Sequence, residues 1–214
     1  MGDIFQEVDE ELRQENYAKL WTRYGRYIIA AAGLLILGVA GFKGWEAYDL
    51  DRRAGLSDSY AAAFDQLAQD QEAAAQTALA EIADPSDSGY GALAAFARAR
   101  LLAESGQTAE AVAIWDEIAD RTAAGDSFRD IATLLSVMHQ MDSGDAAALR
   151  ARLTPMIDKG GSFRPSALEL SALLAVRDGD LELARSQLEE ISLDLESPVA
   201  LRERANQLLS SFED

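Results

Sequence analysis

The side chains best suited to chemistry in this chain are one histidine, His139, and a cluster of carboxylates, Glu189, Glu190, Asp194 and Glu196. A metal held by imidazoles needs at least two of them, so one histidine builds no such site within a single chain. The carboxylates lack the ligand spacing and hinge glycine of a calcium loop, and they read as a solvated face. His139 falls near the end of a predicted helix, where a solvated or carbonyl-bonded imidazole is expected. Cysteine is absent, which removes disulfides, thiolate metal sites and thiol nucleophiles. No phosphate-cradling loop, serine-centred elbow or dinucleotide fingerprint occurs. The expectation is a binding protein: no enzyme, no cofactor and no metal.

Charge narrows the choice of partner. The 214 residues carry a formal charge of −18, unevenly spread. Six acids and five bases precede Glu46, and the 31 acids and 14 bases from there on leave −17. So acidic a region repels phosphate backbones and anionic headgroups, which excludes nucleic acid. Abundant alanine and only four prolines favour helix, because alanine loses no side-chain entropy there.

One stretch breaks the acidic pattern: "YIIAAAGLLILGVAGFKGW", Tyr27 to Trp45. Its 16 uncharged residues from Tyr27 to Phe42 cover about 24 Å as a helix, against about 30 Å of hydrocarbon. Snorkelling of Lys43 and continuation through Gly44 and Trp45 close the gap. Tyr24 and Tyr27 at one end, and Trp45 and Tyr48 at the other, supply interfacial aromatics. Ile28, Ile29, Leu34, Leu35, Ile36, Leu37, Val39 and Phe42 give insertion roughly −2.5 to −5 kcal/mol. A signal peptide would carry a short basic leader, whereas 26 residues precede this core, six of them acidic. A buried soluble helix would show a polar face, and none occurs between Tyr27 and Phe42. The stretch reads as an uncleaved anchor. Arg23 and Arg26 abut its N-terminal end, so residues 1–26 are expected to stay cytoplasmic as an amphipathic tail, with residues 46–214 translocated. Ala30, Gly33, Ala40, Gly41 and Gly44 share an arc of about 100°, with Leu37 the one large member. Such a face suits close approach of a second transmembrane helix.

Beyond residue 55 the chain has a period. Gly106, Gly144 and Gly179 punctuate helical patterns 38 and 35 residues apart, and Asp70 stands 36 residues before Gly106. Each point is followed at +5, +9 and +12 by a small or apolar triplet: Ala75/Leu79/Ile82, Ala111/Trp115/Ile118, Leu149/Leu153/Met156 and Ala184/Leu188/Ile191. This spacing predicts a helix, a tight turn, and a second helix with an inward stripe. A turn glycine with positive φ ends the first helix of each pair. "ADPSDSGYG", "RTAAGDS", "DKGGSFRPS" and "DLESP" mark connections between pairs, and a last helix from about Pro198 to Phe212 closes the stack. The fold class is all-α: an N-terminal transmembrane helix, then an α-solenoid of about four degenerate helical pairs.

The unit "GYGALAAFARARLLAESGQTAEAVAIWDEI" resembles a tetratricopeptide repeat, with Gly106, Ala111 and Trp115 at its turn, small and aromatic positions. More of the chain is similar to one bacterial family. "DIFQEVDEELR", the anchor ending in "GW", and the closing "GDLELARSQLEEISLDLESPVALRERANQLLS" carry the likeness. That family comprises single-span inner-membrane proteins with a tetratricopeptide-like periplasmic domain, typified by the ancillary subunit of the SecYEG translocon. The resemblance implies protein partners: the translocon, periplasmic chaperones or unfolded clients.

In tetratricopeptide domains the first helix of each pair lines the concave face. The resemblance carries this role to Leu93, Phe96 and Arg100, to Ile131, Leu134, Met138 and Met141, and to Glu169, Leu173 and Val176. Methionine is flexible and polarizable, which suits a groove for varied apolar segments. Burial of these positions in the protein's own core is the competing expectation. The expected function is a membrane-anchored interaction module that assists secretion or periplasmic folding at the translocon. The alternative is a scaffold recruiting cell-envelope or cytochrome-maturation machinery.

Overall fold

The computed structural model describes residues 3–84, 89–121 and 125–212, with side chains described from residue 21 onward. The expected connections "ADPSDSGYG" and "RTAAGDS" fall partly outside these ranges, as do the side chains of most of the N-terminal tail. All regular structure among the described residues is helical. It comprises α1 (Asp3–Ala68), α2 (Glu72–Ile82), α3 (Tyr90–Glu104), α4 (Thr108–Asp120), α5 (Gly125–His139), α6 (Ala146–Lys159), α7 (Arg164–Asp178), α8 (Leu181–Leu193) and α9 (Val199–Ser210). Contacts divide the chain into a unit Met1–Ala54 and a unit Gly55–Asp214.

The first unit is the greater part of α1. No proline occurs before residue 85, so nothing breaks the helix between the tail, the apolar stretch and residue 68. Within α1, Trp21–Ala68 contains a window long and apolar enough to cross a membrane, and none of that window is buried inside the protein. That exposure removes the reading of a buried core helix. Leu34, Leu35, Ile36 and Leu37 all stand open. At the ends, Arg26 lies over the Tyr27 ring at 4.8 Å, and Lys43 pairs with Glu46 at 2.6 Å. A Cβ built on Gly33, Gly41 or Gly44 would meet nothing within 4 Å, so the small-residue face is open.

The second unit is a stack of pairs: residues 55–68 of α1 with α2 through Ala63 and Leu79, then α3 with α4, α5 with α6, and α7 with α8, closed by α9. Eleven of the twelve triplet residues are buried, and Ile82 is half-buried. Trp115 anchors one cluster with Ala95, Ala99, Leu102 and Ile118, and Leu149, Leu153 and Met156 anchor the next. The inward stripe thus does the packing the period predicts.

Three of the four turns close identically. At Gly106 (φ 83°) the glycine N–H donates to Ala103 O at 3.0 Å, and Gln107 N–H donates to Leu102 O at 2.8 Å. Gly179 (φ 83°) and Asp70 (φ 58°) repeat the same pair of bonds. This is the Schellman arrangement, which satisfies the last helical carbonyls. The fourth turn departs from expectation, because Gly144 has no positive φ. Six residues join α5 to α6, too many for the shared motif. Glycine is needed there for space: a Cβ would lie 2.9 Å from Leu149 Cδ1 and 3.0 Å from Gln140 O. Arg177 of α7 reaches back and donates to the carbonyls of Met141 and Gly144.

A polar network centred on the buried Ser136 joins the middle helices. Ser136, fully buried on α5, donates to Asp116 of α4 at 2.5 Å and accepts from Arg152 of α6 at 3.1 Å. Gln140 also donates to Ser136 Oγ, so the hydroxyl is satisfied rather than stranded.

Candidate functional site

The 36-residue period places equivalent side chains on successive first helices. Tyr60 and Phe64 on α1 therefore correspond to Phe96 and Arg100 on α3, and Met138 follows on α5. These residues line one groove of about 530 Å³. Leu93 and Phe96 form its wall on α3, and Leu135, Met138 and His139 form the opposite wall on α5. Trp115 of α4 lies at the base.

Aromatic contacts hold the walls. The Tyr60 and Phe64 rings lie 4.8 Å apart, one helical turn along α1, and Tyr60 meets Tyr90 at 5.7 Å. Phe96 packs on Phe128 at 5.8 Å. Burial, with a smaller contribution from Tyr90, holds the Tyr60 phenol above its ordinary pKa. His139 stacks on Trp115 at 4.7 Å with 27° between the rings. The imidazole is thus an exposed lid on the tryptophan, the solvated one of the two placements expected for it. The indole Nε1 of Trp115 is buried with no acceptor among the described residues.

The groove's charged side chains, Arg100 and Glu104, lie at its edge. Arg100 donates to Glu104 at 2.8 Å, and both side chains remain more than half exposed. Leu93 and Met138 are 39% and 46% exposed, so the apolar surface is reachable. An open apolar patch of this kind, framed by polar residues, is chemistry for binding rather than for bond-making.

The other residues expected to share the concave face are dispersed. Leu134 and Met141 turn away to pack on the cluster around Leu153, although Ile131 beside them is 37% exposed. Glu169 is held by a two-pronged contact from Arg204 of α9, at 2.7 and 2.9 Å, with a side chain only 16% exposed. Leu173 and Val176 are half-buried and lie outside the groove. Tyr60, Phe64 and Leu135 line it without having been anticipated, and so does His139. The first two carried a readable signal, since they stand one 36-residue period before Phe96 and Arg100.

Two members of the carboxylate cluster make structural contacts, while Glu189 and Glu196 are exposed as the solvated reading expects. Glu190 pairs with Arg164, and Asp194 accepts from Ser197 Oγ at 2.6 Å and Glu196 N–H at 2.9 Å. Those donors, led by the Ser197 hydroxyl, hold the Asp194 carboxyl below its ordinary pKa.

Comparison with known proteins fits this geometry. No curated protein and no solved structure matches the chain. The family model described as "Tetratricopeptide repeat-like domain" matches residues 18–186, from within α1 to within α8. With most of its length matched and its helices paired around an open groove, the chain belongs to the tetratricopeptide repeat-like domain family.

Proposed function

We propose that this protein is a membrane-tethered interaction module whose groove holds apolar segments of partner proteins during secretion or periplasmic folding. The observation that carries the reading is the open apolar groove between α1, α3 and α5 in an otherwise strongly acidic unit. An apolar window on α1 with no cover from its own chain suits a span in lipid. In this reading the span lies in a bacterial inner membrane, the N-terminal tail is cytoplasmic and the repeats are periplasmic. Its open small-residue face, from Ala30 to Gly44, meets the span of a partner such as the SecYEG translocon.

Copurification of the full chain in mild detergent tests the reading. Translocon subunits, periplasmic chaperones or unfolded clients are the expected company. One stable cell-envelope or cytochrome-maturation assembly, with no client, would instead favour the scaffold. A cysteine replacing Ser211 tests orientation, since an impermeant thiol reagent should label it in intact spheroplasts. Protection at Ser211→Cys with labelling at Gln6→Cys reverses the topology.

A further inference from the structure

We infer that the segment the groove accepts is an amphipathic α-helix of about three turns, apolar on one stripe and bearing lysine or arginine beside it. The inference rests on the interaction reading above and narrows it to one class of partner.

Backbone chemistry selects the helix. The groove's walls are helices, whose main-chain groups are already bonded within themselves, and its lining is side chain. An extended segment laid there would bury its own N–H and C=O groups against Leu93, Phe96 and Met138 with no open strand to answer them. Each stranded group costs about 1–3 kcal/mol. A helical occupant arrives with those bonds made. The dimension agrees, because the α3 wall runs from Leu93 to Glu104, which is about 16 Å or three turns.

Charge selects the sign of the flanks. The unit from Gly55 onward has 28 acids against 12 bases. Ten of those bases are engaged within the chain. Arg100, Arg121, Arg129, Arg150, Arg152, Lys159, Arg164 and Arg204 pair with carboxylates. Arg177 and Arg185 donate to carbonyls. The surface offered outward is therefore anionic. Among the described residues the only cation in the lining is Arg100, and Glu104 neutralises it. An acidic amphipathic helix would meet repulsion from this anionic surface, and a basic one attraction.

The test uses the full chain in nanodiscs of zwitterionic lipid, with empty discs as the blank. The probe is a labelled synthetic peptide of about five turns, with leucines at i, i+3, i+4 and i+7 and lysines elsewhere. Two controls replace its lysines by glutamates or place a proline at its centre. Fluorescence anisotropy should show the lysine peptide binding at least about tenfold tighter than either control at low salt, with the charge preference shrinking as salt rises. Leu93→Glu with Met138→Glu should weaken the lysine peptide about tenfold despite adding negative charge. Should that pair reduce helicity, Leu93→Ala with Met138→Ala serves in its place. Equal binding of the proline or glutamate control overturns the inference, and so does tighter binding to the glutamate variant. Reduced, carboxymethylated lactalbumin separates the two readings. If it binds and is lost in the groove variants while the lysine helix never binds, the helix inference falls and the interaction module stands. If its binding survives both variants, the groove reading falls and this inference with it.

Discussion

Trp115 is the side chain on which the second unit most visibly depends. It is 1% exposed, it packs among Ala95, Ala99, Leu102 and Ile118, and His139 covers its outer face. Truncation to alanine removes most of an aromatic that buries roughly 150–250 Å², and leaves a cavity beneath the groove. Large core truncations of this kind cost about 3–5 kcal/mol. Trp115→Phe isolates the volume lost: it keeps an aromatic ring and most of the packing, and should cost less than about 1.5 kcal/mol. Urea unfolding of the full chain in detergent, followed by far-ultraviolet circular dichroism, reads both variants. The reasoning is refuted if Trp115→Ala leaves the midpoint unchanged. It is equally refuted if Trp115→Phe costs as much as Trp115→Ala.

Other perturbations follow from the turns and from Asp194. Asp70 holds the left-handed position that glycine takes at Gly106 and Gly179, so Asp70→Gly should stabilise the unit by up to about 1 kcal/mol in the same urea assay. Gly144→Ala should destabilise by about 1–3 kcal/mol through collision with Leu149 and Gln140, although its backbone angle is permissive. The folded Asp194 carboxyl titrates below its unfolded value, so it adds stability above the ordinary carboxylate range that is lost as pH falls through the folded value. Asp194→Asn should therefore lower the urea midpoint at pH 7 and flatten its decline between pH 5 and acid, and an unchanged pH profile would contradict this.

Much of the fold was legible because burial is periodic. The triplets at +5, +9 and +12 from each turn fell into the core, and α9 arose where the proline-marked ending placed it. The groove was legible in part. Phe96, Arg100 and Met138 carry the shared period to one place, whereas Leu134 and Met141 leave it because α5 also packs on α6 and α7. One residue along a helix turns a side chain by about 100°, enough to put Leu135 in the groove and Leu134 in a core. Tyr60 and Phe64 were hidden by the apolar stretch upstream, which made the start of α1 look like an element of its own. Glu169 was lost for a different reason. Its partner Arg204 lies on the closing helix, and no local spacing announces an ion pair formed across 35 residues.

The shared closure at Asp70, Gly106 and Gly179 makes these joints interchangeable parts. A chain cut after one of them and resumed after another would meet the same two hydrogen bonds and the same inward triplet. Whole units are therefore open to loss or duplication without a new turn being devised, and length variation among relatives should fall at these seams. The α5–α6 joint cannot take part. Its glycine is fitted to Leu149 and its carbonyls to an arginine on α7, so it ties two neighbouring pairs into a block that should be kept or lost together.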